Sequence, residues 1–102
     1  MTTKVYEYLK TIPEGKVVTY GQIACFLGNK YLARVVGNIL HKNPDPKSIP
    51  CHRVVNSKGE LSKAYAFGGM EAQRKKLEKE GIIFKQDGSV DLIKYQYKER
   101  VT

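Results

Sequence analysis

The segment of residues 31–43, YLARVVGNILHKN, carries the clearest periodicity in this sequence. Its apolar residues recur at i, i+3, i+4, i+7 and i+8, as on one buried stripe of a helix; they are Leu32, Val35, Val36, Ile39 and Leu40. The opposite face carries small and polar residues, namely Arg34, Gly37, Asn38 and His41. The segment is therefore predicted to be a helix that packs on one side and that a flat surface can approach closely on the other.

A second helix is predicted directly before this one. Thr19 and Gln22 form a T-x-x-Q capping box, which places the start of that helix at Thr19. Gly28 and Asn29 are good helix terminators. Two helices joined by a glycine-containing turn, the second with a polar face, form a helix-turn-helix pattern. Helical hairpins of this kind also occur in proteins that do not bind DNA, so the pattern alone leaves the function open.

The remaining segments complete a mainly α fold. TTKVYEYLKTIP repeats its apolar residues at helical spacing, and MEAQRKKLEKEG predicts a further helix. NPDPKSIP holds three prolines in eight residues and excludes regular structure there. Asp87 and Gly88 lie between two β-prone runs, which is a hairpin signal. Together these segments predict a winged helix-turn-helix-like domain with a small β-hairpin wing, formed by residues 1–102 as a single domain.

The charge of the chain favours a polyanionic partner. Among 102 residues, 18 lysines and arginines face 10 acids, for a net charge of +8. For a small domain this balance favours nucleic acid before membrane, although small basic proteins can also be merely soluble. No apolar run approaches the length of a membrane span. The first twenty residues lack the apolar core of a secretory signal, so a cytoplasmic location is expected.

The cysteines and histidines do not predict a metal site. Cys25 and Cys51 are not part of a C-x-x-C motif, and the two histidines, His41 and His52, add no usual zinc spacing. No metal and no cofactor is therefore expected. A structural role is predicted for Cys25.

Cys51 lies in SIPCHRVVNSKG, next to a histidine and an arginine. A nucleophilic cysteine needs a lowered pKa, a base within reach and access to substrate. Arg53 supplies positive charge, and His52 is the nearest base. Neighbouring side chains diverge, however, so His52 would need a sharp turn or a bridging water, and a third group such as Glu80 to orient it. Because unpaired cysteines are often buried and inert, the residues alone leave the role of Cys51 open.

Several blocks of the sequence resemble the O6-alkylguanine-DNA alkyltransferases. They are, in order, GKVVTYGQIA, ARVVGN, HKNPDPKSIPCHRVVNSKG, a Gly-Gly pair and LEKEGI. The resemblance covers the catalytic, DNA-binding domain of that family and not the separate N-terminal domain of many members. It implies one irreversible transfer of the alkyl group from O6 of a damaged guanine in double-stranded DNA to a cysteine.

The resemblance also implies roles for single residues around that cysteine. Cys51 would be the acceptor, His52 a base acting through a water molecule, and Glu80 the residue that orients His52. Asn43 would hold the turn that makes the cysteine accessible. Tyr20 would help to rotate the nucleotide and would donate a proton to the departing guanine.

A second group of residues is implied in holding DNA and the flipped base. Arg34 would enter the base stack in place of the flipped nucleotide, and the small Gly37 would allow its helix to enter the minor groove. The implied DNA contacts are Ala33, Arg34, Gly37, Asn38 and Tyr20. The implied pocket for the base is formed by Val54, Tyr65, Phe67 and Gly68. A monomer is expected.

Two departures from the alkyltransferase pattern favour an alternative. Ala66 and Phe67 replace the usual Tyr-Ser pair before Gly-Gly, in a segment about two residues longer. NSKGELS, QRKKLEKEGI and the tail GSVDLIKYQY look more like alkyltransferase-like proteins, which bind alkylated guanine and pass it to nucleotide excision repair. Those proteins usually carry tryptophan or alanine where this chain has Cys51. The prediction is a methylated-DNA–protein-cysteine S-methyltransferase, and the alternative is a non-enzymatic, base-flipping lesion binder. A plain winged-helix regulator would leave Cys51, His52 and Glu80 unexplained.

Overall fold

A computed structural model of the protein describes residues 2–62, 65 and 67–98. Its helices are α1 (Thr2–Lys10), α2 (Tyr20–Phe26), α3 (Ala33–His41), α4 (Gly69–Lys79) and α5 (Leu92–Tyr95), and its strands are β1 (Val18–Thr19) and β2 (Val54–Val55). Short 3₁₀ turns lie at Lys30–Leu32 and Cys51–Arg53. Within the described residues, none of the helices has both the length and the apolar character that crossing a membrane requires.

Helices α2 and α3 lie in the segment where the sequence predicts a helix-turn-helix, and they pack against each other. The capping box of α2 is present: the Gln22 amide donates to Thr19 Oγ1 (3.1 Å) and the Thr19 amide donates to Gln22 Oε1 (2.9 Å). Gly28 follows the end of α2 with φ +90°, a conformation that glycine adopts without steric cost. These local interactions fix the two ends of α2 and so the direction in which the chain enters α3.

The buried stripe of α3 is narrower than predicted. Val36 and Leu40 are buried in the core, whereas 38% of Val35 is exposed. Leu32 belongs to the preceding 3₁₀ turn, which has a different number of residues per turn from an α-helix. The regular spacing therefore does not continue through Leu32, and Val35 lies at the edge of the packed face.

A two-stranded parallel pair separates two hydrophobic cores. Val18 pairs with Val54 and Thr19 with Val55. Val18 and Val54 pack in a first core together with Cys51 and residues of α1, α2 and α3. Val17 and Val55 pack in a second core with Leu77 of α4 and residues near the C-terminal end of the described chain. The 3₁₀ turn that carries Cys51 leads directly into β2 and is therefore anchored in both cores.

The predicted β-hairpin at Asp87–Gly88 forms only its turn. The Gly88 amide donates to Lys85 O and the Lys85 amide donates to Ser89 O, each at 2.9 Å. The described residues flanking this turn form no strand. Val90 instead donates its amide hydrogen to Gly59 O (2.8 Å), on the turn that follows β2. The fold is thus mainly helical with a small sheet, consistent with the winged-helix-like class, but the predicted hairpin wing is corrected to a turn fastened to residue 59.

Candidate active site and DNA-binding face

Cys51 opens the 3₁₀ turn after Pro50 and lies against a cavity of about 210 Å³. Only 5% of Cys51 is exposed. The cavity is lined by Tyr20, Gly37, Asn38, Leu40, His41, Cys51, Ser62, Tyr65 and Gln73. One cavity therefore joins Cys51 to the polar face of α3, which is the face predicted to meet DNA.

Polar neighbours counteract part of the effect of burial on the Cys51 thiol. Burial raises the pKa of the thiol above its ordinary value, because the thiolate loses hydration. Hydrogen bonds from the side chains of Asn43 and Tyr65, and the positive charge of Lys76, act in the opposite direction. The cysteine is accordingly a buried thiol surrounded by groups that favour its anionic form.

The ring of His52 is held by Glu80 rather than by the neighbouring cysteine. His52 Nε2 lies 2.6 Å from Glu80 Oε2. Burial is the largest effect on the pKa of His52 and, together with the charges of Arg53 and Lys76, leaves it lowered although Glu80 acts to raise it, so the imidazole is neutral at neutral pH. Burial would raise the pKa of the Glu80 carboxyl, but hydrogen bonds from Arg53 and His52 leave it lowered. Because a carboxylate can only accept, the proton of the neutral ring is on Nε2 and the lone pair is on Nδ1.

His52 Nδ1 is the atom of the ring that remains available for proton transfer. It is buried and has no hydrogen-bond partner among the described residues. The arrangement of an oriented imidazole with a free basic nitrogen is that of a general base. Adjacency to Cys51 is thus compatible with a relay in which Glu80 fixes the ring and Nδ1 accepts a proton.

Arg53 completes the cluster on the other side of Glu80. Its Nε and Nη2 atoms each lie 2.9 Å from a carboxylate oxygen of Glu80, a bidentate geometry. Its Nη1 donates to the carbonyl of Ile12 at 2.7 Å. The arginine predicted as a source of positive charge beside the cysteine instead neutralises the carboxylate that orients His52.

Asn43 closes the proline-rich loop that leads to Cys51. Its side-chain Nδ2 donates to Ile49 O (2.8 Å), and its Oδ1 accepts the amide hydrogen of Asp45 (2.9 Å). Only 5% of the residue is exposed. Asn43 therefore ties the start of the loop to its end, immediately before the cysteine.

Tyr20 is the first residue of α2 and borders the cavity. Burial raises the pKa of its phenol, although a hydrogen bond with Ser62 partly opposes this. The half-buried ring packs against the first core, and the hydroxyl group remains protonated at neutral pH. This position is compatible with the predicted donation of a proton and also with packing in the core.

The exposed face of α3 lies beside the same cavity. Arg34 and Asn38 are exposed, and Ala33 at the start of the helix is half-buried. A Cβ atom on Gly37 would lie 4.0 Å from the Tyr20 ring, so glycine leaves room in the cavity wall that a longer side chain would fill. The structure thus brings Tyr20, Gly37 and Asn38 to the cavity that Cys51 lines, whereas Ala33 and Arg34 lie on α3 outside its lining.

The predicted base pocket is brought together only in part. Tyr65 lines the cavity, whereas Val54 is 1% exposed in the first core and does not. Phe67 contacts the edge of the Tyr65 ring, with centroids 5.6 Å apart. Gly68 is the N-cap of α4. Ala66, which replaces the tyrosine of the alkyltransferase pattern, lies outside the described residues.

Helix α4 supplies supporting residues that the sequence reasoning missed. Gln73 Nε2 donates to the carbonyls of His52 (3.0 Å) and Val54 (2.9 Å), and its Oε1 accepts the Ser62 amide hydrogen (3.0 Å). Lys76 donates to the hydroxyl of Tyr65 at 2.9 Å. Gln73 and Lys76 precede Glu80 by seven and four residues, so all three share one helical face. That spacing is the signal that could have found them.

Cys25 differs from its prediction as a structural residue. It is exposed at the end of α2 and is a free thiol. The buried residues of α2 are Ile23 and Ala24, so Cys25 lies outside its packed face.

The sequence of this chain is similar to those of known proteins. The sequence profile of the 6-O-methylguanine DNA methyltransferase DNA-binding domain matches residues 1–82. Alkyltransferase-like protein 1 of Schizosaccharomyces pombe is 44% identical over 81 residues, covering 78% of this chain and 74% of that protein. The DNA base-flipping protein of Escherichia coli is 36% identical over 92% of this chain and 71% of its own length.

Enzymes are also among the relatives. The methylated-DNA–protein-cysteine methyltransferase of Cricetulus griseus is 39% identical over 86% of this chain, which spans 42% of that protein.

Solved structures extend the likeness to three dimensions. The S. pombe alkyltransferase-like protein in complex with damaged DNA containing O6-carboxymethylguanine superposes with a TM-score of 0.83 at 37% identity, over 96% of this chain and 94% of that one. The Mycobacterium tuberculosis alkyltransferase in complex with DNA gives 0.73 at 39% identity, over 78% and 48%. The chain thus belongs to the family defined by the DNA-binding domain of 6-O-methylguanine DNA methyltransferase, which includes both alkyl-transferring enzymes and base-flipping proteins.

Proposed function

We propose that this protein repairs duplex DNA by transferring the alkyl group of O6-alkylguanine to Cys51, once per molecule. One observation carries the proposal: Cys51 lies in the cavity beside the exposed face of α3, with His52 oriented by Glu80. The relatives and solved structures that include alkyltransferases and DNA complexes support it. The basic net charge of +8 favours the approach of the DNA backbone.

The transfer can be written with its atoms and electrons balanced. The Cys51 proton passes to His52 Nδ1 through a bridging water molecule. The thiolate then attacks the alkyl carbon, and the S–C bond forms as the bond between that carbon and O6 breaks. The electron pair of the broken bond stays on guanine, which gains a proton from the Tyr20 hydroxyl. The Tyr20 phenolate then regains a proton through solvent as His52 Nδ1 gives one up. Overall, the thiol loses one proton and guanine gains one, and no oxidant or reductant is consumed.

Access to O6 requires the damaged nucleotide to leave the base stack. Arg34, exposed on α3, is proposed to fill the gap in the duplex. Gly37 and Asn38 line the cavity together with Cys51. They are proposed to line the path of the flipped base. Flipping and chemistry would then share the single cavity described above.

The direct test is a mass measurement. The protein is incubated with duplex DNA containing O6-methylguanine, and its intact mass and the peptide containing Cys51 are analysed. A gain of one methyl group on that peptide supports the proposal. Full removal of the methyl group from DNA by Cys51→Ala would show that the acceptor is another residue.

A second candidate function is favoured by the likeness to the S. pombe alkyltransferase-like protein over almost the full length of both chains. In that case the protein would bind and flip O6-alkylguanine without removing the alkyl group, and excision-repair proteins would act afterwards. Tight, lesion-dependent binding with no change in protein mass would identify this function. The presence of Cys51 with its polar neighbours is the observation that places alkyl transfer first.

A further inference from the structure

One face of α4 contacts the Cys51 site at three points. Gln73 binds the backbone at His52 and Val54, and Glu80, at the end of the helix, holds the His52 ring. Lys76 lies between them and contacts neither His52 nor Glu80 through a described hydrogen bond or ion pair. Lys76 instead contacts Tyr65 and Phe67.

Lys76 is held against an aromatic residue of the cavity wall. Its Nζ donates to the Tyr65 hydroxyl at 2.9 Å. The same nitrogen lies 5.4 Å from the centre of the Tyr65 ring and 5.8 Å from that of Phe67, within the range of cation–π attraction. Three contacts therefore fix the ammonium group of Lys76 beside Tyr65.

Tyr65 connects this ammonium group to Cys51. It lines the cavity together with Cys51, and the two groups interact, because Cys51 raises the pKa of the Tyr65 phenol and Tyr65 lowers that of the thiol. Burial and the neighbouring thiolate raise the pKa of Tyr65, so the phenol keeps its proton. Since Lys76 occupies a lone pair of the phenol oxygen, the O–H bond is free to point at sulfur.

We propose that Lys76 and Tyr65 form a positioning pair that stabilises the Cys51 thiolate: Lys76 holds the Tyr65 hydroxyl as a donor to sulfur and adds its own positive charge. The importance of the pair for alkyl transfer rests on the proposed function. Its effect on the thiol does not, because that effect exists in the free protein.

The pair acts alongside the other groups near the sulfur. Asn43 also acts to lower the pKa of the thiol, and Tyr6 and Tyr20 are close enough to interact electrostatically with a thiolate. Both tyrosines are neutral when the thiolate forms, because their pKa values are raised by burial. His52 follows Cys51 in the chain, and His41 borders the cavity. The positive charge of Lys76 acts to lower the pKa of the thiol.

The test measures Cys51 alkylation by iodoacetamide, without DNA, as a function of pH. All variants carry Cys25→Ser, which removes the exposed thiol. Lys76→Gln is expected to move the pH midpoint of labelling upward by about half a unit to one unit. Because a less acidic thiol is also more nucleophilic, the rate at pH 7 should fall by about threefold per unit. Lys76→Arg should restore the midpoint, and the exposed neighbour Lys75→Gln should not move it.

Tyr65→Phe keeps the ring that contacts Lys76 and removes the hydroxyl. It should raise the midpoint as well, and Lys76→Gln should then have a smaller effect than in the presence of Tyr65, since the two residues act as a unit. A merely structural role of Lys76 would not produce this coupling.

An unchanged midpoint in a folded Lys76→Gln variant would overturn the inference, as would equal effects of Lys75→Gln and Lys76→Gln. Failure of the proposed function is distinguishable from these results. Absence of methyl transfer from DNA together with a shifted midpoint contradicts the proposed function and supports the pair. Methyl transfer with an unchanged midpoint supports the proposed function and contradicts the pair.

Discussion

At the level of single residues, His52 is a group whose protonation state links stability to chemistry. Its pKa is lowered in the folded protein from an ordinary value of 6.5, chiefly by burial. The unfolded chain therefore binds more protons than the folded one as pH falls below about 6.5. Stability is fully present above that pH and decreases as pH falls towards the lower pKa of the folded state. A histidine stabilised by its charge would give the opposite sign.

The linkage can be tested by replacing His52. Urea unfolding of the wild type at pH 7.5 and pH 5 should show a clear loss of unfolding free energy at the lower pH. His52→Gln should reduce this loss. An equal loss in His52→Gln and the wild type would show that His52 is not buried in its neutral form.

Glu80 is the second residue whose replacement is informative. Glu80→Gln removes the carboxylate that fixes the His52 tautomer and that pairs with Arg53. General-base catalysis contributes about 10²- to 10⁴-fold, so the single-turnover methyl-transfer rate should fall by at least about a hundredfold. Loss of the charged hydrogen bonds should also cost about 2 kcal/mol of unfolding free energy.

The control for Glu80→Gln is Glu78→Gln. Glu78 forms an exposed ion pair with Arg74 at 3.6 Å, and such pairs contribute little. Transfer by Glu78→Gln should remain within about twofold of the wild type, since this residue is not linked to His52. Equal loss in both variants would indicate a general effect of charge on α4 rather than orientation of His52.

At the level of elements, the contact between the turn after β2 and residue 90 replaces the expected hairpin. Gly59 has φ +80°, and a Cβ atom at that position would lie 2.2 Å from the carbonyl oxygen of Val90. Backbone atoms cannot move aside as the end of a flexible side chain can. The two turns can therefore approach each other only with glycine at position 59.

Gly59→Ala should for this reason destabilise the protein strongly, by about 3 kcal/mol or more, since both strain and a steric clash are introduced. Gly88→Ala is the matched comparison, because Gly88 has φ +85° but a Cβ atom there would meet no other group within 4 Å. It should cost only about 1 kcal/mol. Thermal unfolding of both variants, followed by circular dichroism, measures the difference. Similar costs would mean that the close approach to Val90 is unimportant.

The elements that can be predicted from sequence depend on local interactions. The start of α2 is set by Thr19 and Gln22, three residues apart, and its prediction is confirmed. The hairpin at Asp87 is predicted from an equally local signal. It is absent because Asp87 binds the Ser89 amide and hydroxyl within the turn, while Val90 is bound by distant Gly59. A hydrogen bond across about thirty residues of chain has no signature in a short sequence window.

The site shows the same division between local and long-range information. Cys51, His52 and Asn43 lie within ten residues and stand out as one motif, and the resemblance supports Glu80 as the residue that orients His52. Lys76 and Gln73 escape sequence reasoning because their partners, Tyr65 and the backbone of His52, are reached only after α4 folds back on the 3₁₀ turn. The assignment of Val54 to the pocket is wrong because the residue belongs to the core. The core and a base pocket are both apolar environments, so an apolar residue type does not distinguish them.

At the level of the whole molecule, the basic surface should make binding to DNA depend on salt. Arg34→Ala removes an exposed charge from the proposed DNA-binding face, and Arg74→Ala removes the same charge from α4, where Arg74 contacts Phe84. If Arg34 fills the gap in the base stack, its loss should weaken binding to O6-methylguanine duplex by about tenfold or more.

Arg74→Ala should weaken binding by about twofold at most, as expected for a charge outside the interface. Fluorescence anisotropy at several salt concentrations measures both variants. Equal losses would show that net charge, not the position of Arg34, determines affinity.

The parallel strand pair has a consequence for how this small protein can change over time. Adjacent residues of β2 pack into different cores: Val54 lies with α3 and Cys51, and Val55 lies with Leu77 of α4. The backbone of the strand pair therefore separates a change in side-chain volume in one core from the other core. Mutations that reshape the lesion-reading side could accumulate without loosening the helix that carries Glu80. Such independence would let one scaffold exchange repair for recognition, and recognition for repair, by a short series of individually tolerated steps.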